Sequence, residues 1–252
     1  MIEIFILSII QGVTEFLPIS SSSHLILISN YFSFNNQSLS IDVSLHIGSF
    51  LAVLVYFRKD IFDFIKNKDL FVKIILSSIP VMVAGFTLVK LDLIDHFRNI
   101  RTIGWTTLIF GFLLFVSDKF KTSNKIENSF TYKSAIIIGF FQILSLIPGV
   151  SRSGIAISAA RILKFNRFDS AKISFFLSIP TLAAVSFFGF KNLITEGDLN
   201  FTILNFISIF LSFIFSFVTI KFFLNYIKKF DLTIFVIYRI IIGIIILLFS
   251  YL

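Results

Sequence analysis

Residues 202–224 read TILNFISIFLSFIFSFVTIKFFL: twenty-three positions with one charge, Lys221, and seven phenylalanines. No water-facing surface carries such a run. At about 1.5 Å per residue a helix of this length exceeds the roughly 30 Å of a bilayer's hydrocarbon core. Nearly continuous apolar segments recur along all 252 residues, which are 56% hydrophobic and 14% charged. Soluble domains run at roughly 45–50% and about 25%, and the mean hydropathy here is +0.95. The chain therefore reads as an all-α polytopic membrane protein with one integral domain over 1–252. A soluble enzyme is excluded. So is a β-barrel, because the apolar runs do not alternate with period two.

Working outward, six stretches are long enough to cross: 41–57, 72–89, 102–117, 173–190, 201–222 and 232–251. Four others are not. The first, 1–17, is interrupted by Gln11 and Glu15, and 25–28 is a stub ending at Asn30. The stretches 133–147 and 155–163 flank Pro148-Gly149 and stop at Arg161 and Lys164. Short, polar-broken pairs of this kind are expected to be re-entrant hairpins, over about 1–30 and 133–163. The N-terminus MIEIFILSIIQG lacks a basic region and carries Glu3, so the first helix is expected to stay rather than be cleaved.

The net charge of +8 does not point to nucleic acid, because the basic residues fall between apolar runs. Loops 58–73, 118–133, 161–172 and 221–232 hold five, four, four and three of the twenty-two Lys and Arg. With re-entrant hairpins these four loops share one side, which the positive-inside rule makes cytoplasmic. No cysteine is present, so there is no disulfide or thiolate site. Oligomeric state is not legible.

The halves echo one another. Gln11-Gly-Val-Thr-Glu15-Phe-Leu-Pro18-Ile-Ser20-Ser21-Ser22 resembles Gln142-Ile-Leu-Ser-Leu-Ile-Pro148-Gly149-Val-Ser151-Arg152-Ser153, and Ser78-Ile79-Pro80 recurs as Ser178-Ile179-Pro180. An inverted repeat of broken helices is the expectation, with its site where the breaks meet. Glu15 and Arg152 then lie at the two tips, inside apolar segments where one ionisable group costs about 2.5–3.5 kcal/mol or more. They either lock the hairpins together as an ion pair or bind a ligand. The surrounding donors favour a ligand: Ser20, Ser21, Ser22, Ser23 and His24 on one tip, and Gly149, Ser151 and Ser153 on the other. A guanidinium fork with hydroxyls and helix-start amides suits phosphate. Glu15 and His24 suit proton transfer. Asp42 and His46, four apart, are expected to share a helical face. Arg239 is expected to snorkel to the interface.

The segments EFLPISSSSHL, with Gln11 four before Glu15, and LIPGVSRSG followed by FFLSIP are similar to the two motifs of the undecaprenyl-diphosphate phosphatase family linked to bacitracin resistance. Residues 42–61 resemble the family too, so the resemblance spans the chain. It implies a bacterial plasma-membrane enzyme that hydrolyses undecaprenyl diphosphate, a polyprenyl lipid held in the bilayer, to the monophosphate and phosphate. Its site is expected to open to the outer face. The resemblance implies Glu15, Ser21, His24 and Arg152 as catalytic, with either Ser21 or a water as the attacking group, and Gln11, Ser20, Ser22, Gly149, Ser151 and Ser153 binding substrate. Ala156 stands where the family usually has Thr. A divalent cation, Mg or Ca, is a candidate at Glu15, although one carboxylate is a poor metal site. The rival reading is a transporter or flippase of the polyprenyl phosphate, since inverted broken-helix repeats also build transporters.

Overall fold

The computed structural model describes residues 1–32, 34, 38–66, 68–91, 93, 95–122, 124–195 and 202–251. Among these it is all-helical: α1 Ile2–Thr14, α2 Ser21–Phe32, α3 Leu39–Tyr56, α4 Arg58–Lys66, α5 Lys68–Lys90 and α6 Ile100–Asp118 come first. Then follow α7 Ile126–Ser129, α8 Tyr132–Ile143, α9 Arg152–Ile162, α10 Arg167–Thr195, α11 Ile203–Ile227 and α12 Thr233–Tyr251. Six helices are long and apolar enough to cross a membrane: α3, α5, α6, α10, α11 and α12. They are the six expected stretches, each shifted or extended by a few residues. The decisive run becomes α11, although Phe201 itself lies outside the described residues.

Helix ends follow local side-chain chemistry. Asn99 caps α6, accepting from Thr102 N–H at 2.7 Å. A reciprocal Thr131–Ser134 box opens α8, and the Asn205 carboxamide accepts from Thr202 N–H at the start of α11. Each satisfies donors that a helix start would otherwise leave unpaired, worth about 0.5–2 kcal/mol per cap.

The long helices turn apolar side chains outward. Phe112, Phe187, Phe206, Phe210, Phe222 and Phe249 are all exposed, the inverse of a soluble surface and the pattern expected against lipid. Between helices the contact is small and polar. Along α3 and α11, Asn205 donates to Ser44 Oγ (3.0 Å), Ser212 to the Leu45 carbonyl (2.7 Å) and Ser216 to Ser49 Oγ (3.0 Å). Small residues let the backbones approach and hydroxyls bind across the gap, which drives association where lipid is as apolar as leucine.

Around this frame α1 packs on α11, and α8 packs on α5. Both α2 and α9 follow a serine of left-handed backbone, Ser20 (φ 77°) and Ser151 (φ 73°). The first sequence echo thus marks matching breaks. The second does not: Pro80 lies in α5, the second long helix after its break, whereas Pro180 lies in α10, the first after its own.

Candidate active site

The two breaks meet on one carboxylate. Glu15 follows the last residue of α1 and is 7% exposed. Arg152, first residue of α9, donates from Nη2 to Glu15 Oε1 at 2.7 Å. Ser21, first residue of α2, donates from Oγ to Glu15 Oε2 at 2.8 Å. Gln11, one turn back on α1, donates from Nε2 to the same oxygen at 3.0 Å. The N-terminal ends of two helices, each carrying about half a positive charge, therefore approach one anion. The Glu15–Arg152 ion pair that locks the breaks is present, and it leaves Arg152 with capacity: Nη1 is buried and has no partner among the described residues.

The other expected donors divide into two sets. Ser21, Ser22, His24 and Arg152 are half-buried or exposed. Ser20, Ser151 and Ser153 are buried and bind inward. Ser20 Oγ contacts Ser23 Oγ at 2.9 Å. Ser151 Oγ accepts from Gly154 N–H at 3.1 Å, capping α9, and Ser153 Oγ donates to the Leu17 carbonyl at 2.7 Å. That last bond ties the second break directly to the first. Left-handed backbone at Ser20 and Ser151 costs roughly 1–3 kcal/mol each and persists only where the surroundings enforce it. Gly149 (φ 94°) carries the tightest approach, since a Cβ there would collide with Thr106 Oγ1, whose hydroxyl donates to the Pro148 carbonyl at 2.6 Å.

Three positions apart at a helix start, Ser21 and His24 could meet on one face, but His24 does not bond the Ser21 hydroxyl. Its Nδ1 lies 2.6 Å from the Ser20 carbonyl and its Nε2 2.6 Å from the Tyr238 hydroxyl. A carbonyl can only accept, so Nδ1 carries the proton and, in the neutral ring, Nε2 accepts from Tyr238. His46 Nδ1 faces Gln11 Nε2 at 3.0 Å, joining α3 to the carboxylate cluster through an amide that also serves Glu15.

Arg239 is the principal correction. It does not snorkel. It is 1% exposed and reaches inward from α12 to the backs of both breaks. Nη1 donates to the Pro18 and Val150 carbonyls at 3.1 Å each, Nη2 to the Gly149 carbonyl at 2.8 Å, and Nε to Thr107 O at 3.3 Å. Gly111 makes the room, since a Cβ there would sit 3.0 Å from Arg239 Cβ. A planar fork can serve several carbonyls in fixed directions, which a flexible ammonium cannot. The one hint in the sequence is depth, as Arg239 is the seventh residue of α12, roughly 9 Å in along the axis.

Among the described residues, the donors around Glu15 do not by themselves form a resident metal centre. Among the described residues no three His, Asp or Glu side chains gather to hold an ion, and the Glu15 oxygens are already bound by Arg152, Ser21 and Gln11.

Glu15 and Arg152 lie in the two motifs by which the sequence resembles a family, and the comparison with known proteins decides it. The family described as bacitracin resistance protein BacA matches residues 4–245. The chain belongs to this family. It is 52% identical over 252 residues to an undecaprenyl-diphosphatase of Pelagibacter ubique (strain HTCC1062), covering 99% of this chain and 98% of that protein. An undecaprenyl-diphosphatase of Aliivibrio salmonicida (strain LFI1238) is 42% identical, over 96% and 95% of the two chains. One from Jannaschia sp. (strain CCS1) is 36% identical, over 98% of each. Ala156 is fully buried in α9.

Proposed function

We infer that this chain hydrolyses undecaprenyl diphosphate to undecaprenyl phosphate and phosphate, returning the lipid carrier to cell-envelope synthesis. Full-length similarity to undecaprenyl-diphosphatases supports the substrate. The observation that carries the site is the convergence of Ser21 and Arg152 on Glu15. Arg152 Nη1 offers the terminal phosphoryl group a charged donor without breaking an existing bond. With the phosphoryl group on Nη1, Glu15, still held through Nη2, takes the Ser21 proton across the 2.8 Å hydrogen bond.

Ser21 Oγ then attacks the terminal phosphorus. The Oγ–P bond forms, the bridging P–O bond breaks, and undecaprenyl phosphate leaves with the bridging oxygen. Water then attacks the phosphoserine: its oxygen bonds to phosphorus as the Ser21 Oγ–P bond breaks, Glu15 returns its proton to Ser21 Oγ, and His24 Nε2, which faces the Tyr238 hydroxyl, takes the proton that the water loses. Positive charge from Arg152 and the two helix starts stabilises the phosphoryl oxygens in both steps, where preorganised donors count most. No step is assigned to Mg or Ca.

The same reading makes α1–α2 and α8–α9 re-entrant hairpins of an inverted repeat. Helices of 13 and 12 residues span only about 18–20 Å, well short of the hydrocarbon core. The reciprocal packing of α1 on α11 and α8 on α5 is what such a repeat produces. The basic loops then lie in the cytoplasm and the site opens to the outer face of the bacterial plasma membrane, where the prenyl tail stays in the bilayer.

The test is phosphate release from a polyprenyl diphosphate by purified protein in detergent, with and without chelator. Release in detergent is the expected result. Intact diphosphate in detergent, together with movement of lipid phosphate across sealed vesicles, would make the protein a transporter.

A further inference from the structure

A cavity of about 590 Å³ opens away from the Glu15–Arg152 pair, among the ends of α6, α9 and α11 and the start of α10. Arg161 on its wall lies nine residues along α9 from Arg152, roughly 14 Å away. The lining carries five cations, Lys119, Lys121, Arg161, Arg167 and Lys228, against the single carboxylate of Asp118.

That carboxylate is spent. Asp118 accepts a two-pronged Arg167 at 2.8 and 3.0 Å, has Arg161 Nε at 3.2 Å, and takes the Leu232 N–H at 3.2 Å. Arg161 is buried and also donates to the carbonyls of Phe165 (2.9 Å), Asp118 (2.6 Å) and Phe120 (3.2 Å). These contacts fasten four segments into a rigid wall. Asp231 adds negative charge near Arg167 and Lys119, but it caps α12 through the Thr233 N–H at 3.0 Å. Among the described residues, Lys119, Lys121 and Lys228 make no ion pair. Lys119 Nζ lies 5.0 Å from the Phe115 ring and Lys228 Nζ 4.9 Å from the Phe168 ring. Three exposed ammoniums therefore surround an open, polar-walled cavity rimmed by phenyl rings, and Phe120 and Phe230 beside it are exposed as well.

We propose that this cavity is a second anion site, built for a phosphate-bearing group and separate from the carboxylate cluster. Lysines at the mouth suit the monoanionic phosphate of a membrane lipid whose chains lie along the exposed phenylalanines, since basic pockets at helix ends favour such headgroups. Free phosphate offers the same chemistry without the chains.

The probes are phosphatidylglycerol, phosphatidylcholine and inorganic phosphate, added to purified protein in detergent and read by native mass spectrometry. Wild type should retain phosphatidylglycerol over phosphatidylcholine. Near-surface electrostatics are worth about fivefold per lysine, so the triple Lys119→Gln, Lys121→Gln, Lys228→Gln variant should retain on the order of a hundredfold less, with phosphatase turnover in detergent within about twofold of wild type. Should that variant prove unstable, Lys121→Glu alone, at an exposed side chain, should weaken retention about tenfold or more. Phosphate that binds with the same lysine dependence and displaces the lipid supports the site and shows that the phosphate group carries recognition. Equal retention of both lipids by wild type, or undiminished phosphatidylglycerol in the variants, would overturn it. The outcome does not depend on whether the tips hydrolyse diphosphate.

Discussion

Replacing Arg239 with methionine keeps the length and most of the volume of the side chain while removing every donor. Of the four carbonyls that then lose a bond, three lie in the breaks, those of Pro18, Gly149 and Val150, which Arg239 serves at 2.8–3.1 Å. A buried polar group left unsatisfied costs about 1–3 kcal/mol. The three belong to one cluster and do not simply add, so the expected destabilisation is about 3–5 kcal/mol, the range for removing one partner from a buried charged network. The same carbonyls set the position of Ser20, Ser21 and Arg152, which follow them within a few residues. Misplacing reacting groups by about 1 Å costs on the order of a hundredfold in rate. Arg239→Met should therefore lower the thermal transition in detergent, and turnover of polyprenyl diphosphate should fall by about a hundredfold even well below that transition. Arg239→Lys should recover part of the stability but little of the rate, because one ammonium cannot span both breaks. A methionine variant with an unchanged transition and turnover within about threefold of wild type would refute the clamp.

Three further outcomes follow from the geometry. If Ser21 attacks, Ser21→Ala should abolish hydrolysis while substrate binding stays nearly intact, and rapid quench in oxygen-18 water should find phosphate on the Ser20–Ser23 peptide; residual turnover without phosphoserine would pass the attack to water. Tyr238→Phe removes one hydrogen bond from His24, worth about 0.5–1.5 kcal/mol, so turnover should drop by about two- to tenfold at unchanged thermal stability; no change at any pH would detach the tyrosine from the reaction. Topology reporters fused within 58–73, 118–133, 161–172 and 221–232 should all mark the cytoplasm, and an external 161–172 loop would undo both the orientation and the second hairpin.

What could be foreseen divides along physical lines. The six long helices were legible because membrane crossing demands an uninterrupted apolar run, and that demand is written in composition alone. Glu15 and Arg152 were legible for the opposite reason: an ionisable side chain inside such a run is costly enough to need a cause. Arg239 satisfied the same criterion, yet an arginine near the start of an apolar helix fits snorkelling equally well. What distinguishes it is its partners, which are backbone carbonyls, and carbonyls leave no mark on a sequence. The left-handed turns at Ser20 and Ser151 were hidden likewise, because serine does not advertise a positive φ as glycine does at Gly149. Spacing misled for His24 because helical periodicity says which residues share a face, whereas the ring found Tyr238, 214 positions away.

Phosphate recognition rests on the Arg152 fork at the junction of the two breaks, and its most direct measurement is single-turnover phosphate release from a polyprenyl diphosphate in detergent by wild type, Arg152→Lys and Arg152→Gln. Losing one donor made to the transition state costs roughly 2.7–4 kcal/mol, about a hundred- to a thousandfold. The lysine variant should fare nearly as badly as the glutamine one, because an ammonium cannot hold Glu15 through one nitrogen and the phosphoryl group through another. Near-wild-type release by Arg152→Lys would contradict the account, leaving this position a generic positive charge and moving phosphate recognition elsewhere in the chain.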